Sequence, residues 1–163
     1  MAVLINGRDL TVEEVIRVCR EDEEVRLTDE AVEAVNKARA YIEKKLEEKA
    51  VIYGLTTGFG KFSNVVISRE ETEKLQRNLI ISHTCTMGES YPRHYVRAAM
   101  LLRCNALARG NSGIRLETLQ TLIDMINKGV HPVIPEKGSL GASGDLAPLS
   151  HIALGLIGEG KAE

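Results

Sequence analysis

The sequence predicts a mainly α-helical chain with a small N-terminal hairpin and long glycine-rich loops, and three observations carry that prediction. Apolar residues recur at helical spacing through several long stretches. Capping signals, in which a Ser or Thr is followed three residues later by Glu, stand at the head of two of them. Prolines and glycines fall where such stretches should start and stop.

Taken in order, Val3-Leu4-Ile5 followed by Asn6-Gly7 reads as a small hairpin or turn, because Asn-Gly favours tight turns. Thr11 with Glu14 forms a capping box for a short helix from about Val12 to Arg20, and Glu21 to Glu24 is an acidic connector. Thr28 caps a longer helix with Val32, Val35, Ile42 and Leu46 on one face and a solvated, charged face elsewhere. The stretch from Val51 to Val66 breaks the pattern with a glycine-rich loop that has Tyr53 at its entrance. Ser68 with Glu71 is a second capping box, opening a helix through Leu75 and Leu79 to about Ser82-His83. Pro92 opens a helix that ends near Gly110, with Val96, Met100 and Leu107 on one face and Arg93, Arg97 and Arg103 elsewhere. Leu116 to Lys128 is helical and stops at Gly129. His131 to Pro135 holds two prolines and reads as extended. The last helix, Leu146 to Leu156, is apolar on most sides and is expected to be buried.

Composition narrows the function classes. The 163 residues suit one domain, 44% are hydrophobic, and a formal net charge of -2 with interspersed signs disfavours nucleic acid or an anionic membrane as partner. No apolar run approaches the roughly 20 residues needed to span a bilayer. Cys19, Cys85 and Cys104 are unpaired in spacing and read as reduced packing thiols of a cytoplasmic protein. His83, His94, His131 and His151 show no ligand spacing, so no metal site is expected.

The chemistry concentrates in Lys137-Gly138-Ser139-Leu140-Gly141-Ala142-Ser143-Gly144-Asp145-Leu146-Ala147-Pro148, where three glycines recur at every third position ahead of a helix. The spacing is not that of a dinucleotide loop, and Gly54 to Gly60-Lys61 likewise fails the phosphate-loop pattern. Glycine permits a turn tight enough to bring the Gly144 nitrogen against the Ala142 carbonyl carbon. Ring closure there, with loss of two waters, would convert Ser143 into an exocyclic methylidene electrophile. Orientation alone contributes on the order of 7–11 kcal/mol to such a step. Asp145 stands where it can handle protons or cap the following helix, whose positive end lies beside the loop.

The string from Gly138 to Leu154 resembles the signature of the aromatic amino acid ammonia-lyases, which build a methylidene-imidazolone from Ala-Ser-Gly. Two further stretches match in order, Tyr53 to Gly60 and Asn78 to His83 with Gly88 downstream, so the resemblance covers essentially the whole chain. It implies the helical N-terminal portion of the ammonia-lyase fold over residues 1–163, with the downstream helical bundle absent. It also implies a 4-methylideneimidazole-5-one formed from Ala142, Ser143 and Gly144, Tyr53 as catalytic base, His83 as substrate contact, and Gly60, Asp145 and Leu146 as supporting positions. The Ser82-His83 pair is similar to the histidine-specific members, whereas Thr86 departs from the small glycine often found there. The implied reaction adds the α-amine of L-histidine to the methylidene carbon, removes the β-hydrogen and releases ammonia to give trans-urocanate in histidine catabolism. A phenol of reference pKa about 10 must be activated to serve as that base.

The family's polypeptides are several times longer and assemble their sites from several subunits of a tetramer. The expected partners are therefore a small amino acid substrate, a missing C-terminal portion or companion subunit, and further copies of the chain. The isolated chain is expected to be inactive, with the loop unprocessed. Two alternatives stand beside this: a lyase or aminomutase acting on tyrosine or phenylalanine, and a non-catalytic helical assembly module.

Overall fold

The computed structural model describes residues 2–58 and 69–163. Its first element is a strand, β1 (Val3–Ile5), followed by helix α1 (Val12–Arg20) and strand β2 (Val25–Leu27). The expected hairpin is corrected here: β1 pairs with β2 in parallel, Val3 opposite Val25 and Ile5 opposite Leu27. Parallel strands need a crossover, and α1 supplies it. Asn6-Gly7 does make a turn, since Asn6 Oδ1 accepts from the nitrogens of Arg8 at 2.9 Å and Asp9 at 3.1 Å. That turn sends the chain into α1 instead of back along β1, and Asn105 Oδ1 fixes it by accepting from the Gly7 nitrogen at 2.9 Å.

The helices follow the sequence closely. Thr11 and Glu14 form the capping box of α1, and Thr28 accepts from the Ala31 nitrogen at the head of α2 (Asp29–Glu47). Next comes α3 (Arg69–His83), whose Ser68 cap lies outside the described residues. Strand β3 (Met87–Ser90) leads to α4 (Arg93–Ala108), entered through Pro92, and α5 (Leu116–Asn127) follows. Strand β4 (Pro135–Lys137) pairs antiparallel with β3, and a 3-10 turn, Gly141–Ser143, precedes α6 (Leu146–Leu156).

The core forms around α4. Its Val96, Met100, Leu101 and Cys104 pack with Leu119, Leu122, Ile123 and Ile126 of α5, and with Val3, Ile5, Val18 and Val25 from the β1–α1–β2 unit. Period-two alternation explains why Leu4, between Val3 and Ile5, faces solvent. Arg97, expected away from the apolar face, is 2% exposed. Burial is tolerable because its guanidinium donates to the carbonyls of Val18 at 2.9 Å and Ile126 at 2.7 Å.

Helix α6 corrects a second expectation. Only Ile152 is buried along it, and Leu146 is 41% exposed, because α6 packs on α3 and α5 and its other sides meet solvent. Cys19 and Cys104 are the packing thiols foreseen, and burial pushes the Cys104 thiol up to about 12. Cys85 is exposed, its Sγ donating to the Ser82 carbonyl at 2.9 Å, so it is not a packing residue. No helix among the described residues is long and apolar enough to cross a membrane.

Candidate active site

The glycine loop leaves β4 at Lys137 and makes its first contact at once. Gly138 has φ +131, and a Cβ there would stand 3.0 Å from the Cys85 carbonyl oxygen and 3.2 Å from Thr86 Cα. Only glycine meets both the conformation and the closeness. The chain then curls through the Gly141–Ser143 turn, and the Gly144 nitrogen donates to the Gly141 carbonyl at 3.0 Å. Gly144 is left-handed, and among the described residues, its chain neighbours aside, no atom lies within 4 Å of where a Cβ would stand. Ala142 is exposed beside it.

Asp145 follows in the same left-handed region, φ 56 and ψ 49, at the N-cap position of α6. A non-glycine residue there carries strain of about 1–2 kcal/mol. Its carboxylate does not cap the helix, as the sequence allowed. Instead Oδ1 accepts from Ser139 Oγ at 2.6 Å, closing the loop across its base. Leu146 then opens α6, so the positive end of that helix adjoins the Ala142-Ser143-Gly144 triplet.

His83 is the last residue of α3. Its Nδ1 lies 2.9 Å from the Leu79 carbonyl and 3.0 Å from Ser82 Oγ. A carbonyl only accepts, so Nδ1 carries the hydrogen, and in the neutral ring Nε2 is the acceptor. Side chains serve two more carbonyls at this helix end: Thr84 Oγ1 donates to Ile81 at 2.7 Å and Cys85 Sγ to Ser82. The Ser-His-Thr-Cys sequence thus ends α3 with its own donors.

The His83 segment and the glycine loop are brought together. Gly138 seats on Cys85 and Thr86, Met87 of β3 pairs with Lys137 of β4, and Thr86 Oγ1 lies 2.6 Å from His151 Nε2 on α6. Burial lowers the His151 pKa. The Thr86–His151 pair was not foreseen; partners 65 positions apart leave no mark in local spacing. Tyr53, 64% exposed, sits on a separate turn that Thr57 holds from below, Oγ1 accepting from the Gly54 nitrogen at 3.2 Å. Gln76 Nε2 donates to the Gly54 carbonyl at 3.2 Å and so ties that turn to α3, about two helical turns before His83. Gly60 lies outside the described residues. Two clefts of about 330 and 350 Å³ lie elsewhere, one lined by Cys19, Arg20, Arg93 and His94, the other by α5. Among the described residues Tyr53 and Ala142 are exposed.

Comparison with known proteins shows what the chain is similar to. Histidine ammonia-lyase of Alkaliphilus oremlandii is 61% identical over 160 residues, which are 98% of this chain and 32% of that protein. The crystal structure of histidine ammonia-lyase from Trypanosoma cruzi superposes with a TM-score of 0.90 at 40% identity, over 99% of this chain and 30% of that one. The tyrosine aminomutase of Streptomyces globisporus superposes at 0.93 with 40% identity, over 99% and 30%. The chain thus spans about a third of the length of the curated relatives it matches. The family model for aromatic amino acid lyase matches residues 10–163, and the chain belongs to that family.

Proposed function

We propose that this chain forms the electrophile-bearing and substrate-selecting part of a histidine ammonia-lyase, which releases ammonia from L-histidine to give trans-urocanate. The observation that carries the reading is the seating of the glycine loop on the segment just after His83. That contact relates a residue suited to reading a side chain to a triplet suited to reacting with an amine.

The resident group implied by the family is the methylidene-imidazolone of Ala142, Ser143 and Gly144. The residues fit it: the triplet lies in a tight turn, Gly144 is uncrowded at φ +90, and the Gly144 nitrogen is already folded back over the turn. When formed, the group supplies an electrophilic carbon for the substrate amine.

The chain's own residues do the rest. Ser139 and Asp145 hold the base of the loop closed, and the first turn of α6 favours negative charge beside it. His83, with Nδ1 committed to Leu79, presents Nε2 as acceptor for the N–H of a substrate imidazole. Tyr53 is the candidate base for the β-hydrogen. Its phenol needs a positive neighbour to act near neutrality, because its reference pKa is about 10. The walls that close the site come from protein beyond these residues, a companion portion or further copies in a homo-oligomer, in the cytoplasm.

The test supplies this chain with the part of the Alkaliphilus oremlandii relative that it does not match, and follows urocanate absorbance and intact mass. Urocanate formation with loss of two waters from the loop peptide is expected. Turnover of tyrosine or phenylalanine in place of histidine would move the assignment to another member of the family, and no turnover of any aromatic amino acid would overturn it.

A further inference from the structure

The segment from Cys85 to Thr86 is gripped from two directions. On one side Gly138, the first residue of the loop, packs against the Cys85 carbonyl and Thr86 Cα, and the β3–β4 pairing continues that contact. On the other, Thr86 Oγ1 and His151 Nε2 share a 2.6 Å hydrogen bond that reaches α6, the helix entered directly from Asp145. Both ends of the loop are thereby tied to the short segment that begins at His83. Both Thr86 and His151 are half-buried, which shields their hydrogen bond from competing water. A residue without a hydroxyl at position 86 would leave only the Gly138 side of this clasp.

We infer that Thr86 and His151 are positioning residues that set the separation between His83 and the Ala142-Ser143-Gly144 triplet, and so select substrates by the length of side chain that fits between them. This rests on the reading of the site given above. The triplet lies within the loop and not in the clasp, so electrophile formation does not depend on Thr86. Substrate reach does, because a substrate that no longer spans the gap loses its contact with His83 in the ground state and the transition state alike, which weakens binding without slowing the chemical step.

The test compares Thr86→Val, Thr86→Ser, His151→Leu and the Thr86→Val/His151→Leu double variant in the reconstituted enzyme. Thr86→Val should raise KM for L-histidine about tenfold with kcat little changed and the two-water mass loss intact. Thr86→Ser should restore KM to within about twofold of the parent, and the double variant should be no worse than either single change. An unchanged KM in Thr86→Val, failure of rescue by serine, or fully additive single effects would each overturn the inference. If the parent enzyme turns over no aromatic amino acid, the lyase reading fails and the clasp is judged on the chain itself by amide exchange. Thr86→Val must then speed exchange in both Cys85–Gly88 and Gly138–Gly144, with serine restoring both; unchanged exchange in either segment overturns it.

Discussion

Arg97 and His131 meet inside the core, where a guanidinium nitrogen donates to His131 Nε2 at 3.0 Å. An accepting Nε2 must be unprotonated, so His131 is neutral with its hydrogen on Nδ1. Burial first, and the Arg97 charge second, hold its pKa down to about 4 from 6.5. The unfolded chain therefore binds the extra proton more readily. The contribution is fully present above pH 6.5 and is lost as pH falls through the window to about 4. Its size is on the order of 1–3 kcal/mol. Urea unfolding at pH 7 and pH 4.5 should show a larger loss of stability in the parent than in His131→Gln, which keeps an acceptor but does not titrate. Equal losses in the two proteins would count against the assignment.

Asn127, at the end of α5, behaves like a missing strand. Its Nδ2 donates to the Val25 carbonyl and its Oδ1 accepts from the Val25 nitrogen, both at 2.9 Å. This pair closes the backbone of β2 on the side away from β1. Asn127→Ala should cost about 1–3 kcal/mol, since it leaves two part-buried backbone groups unsatisfied. Asn127→Asp should also destabilise, because a carboxylate cannot donate to the Val25 carbonyl. Denaturant midpoints check both, and an aspartate variant as stable as the parent would exclude the bidentate role.

Much of this was written locally in the chain. The Thr11-Glu14 box, Thr28, Pro92 and the run from Leu146 to Leu156 mark helix boundaries that the structure reproduces, because caps and breakers act within a few residues. What was not legible was long-range. The parallel pairing of Val3–Ile5 with Val25–Leu27 needs α1 to fold between them, and Asn6-Gly7 carries no sign of which way the chain turns. Spacing placed Arg97 off the apolar face, and its burial depends on the Val18 and Ile126 carbonyls, which come from distant elements. At the candidate site the glycine pattern marked the loop, but the Cys85–Thr86 seat and the Thr86–His151 bond belong to contacts that periodicity does not encode.

Two glycines with nearly the same backbone angle should respond differently to alanine. Gly110, φ +70, ends α4 against α2, and a Cβ there would stand 2.6 Å from the Ala34 carbonyl carbon and oxygen. Gly129, φ +73, has nothing among the described residues, its chain neighbours aside, within 4 Å of its Cβ position. Gly129→Ala should cost only the left-handed strain, about 1–2 kcal/mol. Gly110→Ala should cost about 1–3 kcal/mol more, because backbone on both helices must separate to admit the methyl group. Thermal unfolding of the two variants measures the gap, and equal shifts would show that the α2–α4 contact gives way freely.

Asp145 should separate stability from chemistry. It holds a left-handed conformation at φ 56 that glycine adopts without strain, and its carboxylate closes the loop through Ser139 Oγ. Asp145→Gly should therefore melt close to the parent, because relief of about 1–2 kcal/mol of left-handed strain is offset by the lost Ser139 bond and the greater freedom of the unfolded chain. The same variant loses the bond that keeps the loop curled, so the two-water mass loss at Ala142-Ser143-Gly144 should slow markedly or fail in the reconstituted enzyme. Ser139→Ala should slow that mass loss too and melt lower than Asp145→Gly, because it removes the bond and leaves the strained residue in place. A thermal midpoint for Asp145→Gly below that of Ser139→Ala would mean that the left-handed aspartate stores no strain. Normal mass loss in both variants would mean that the Ser139–Asp145 bond does not prepare the turn.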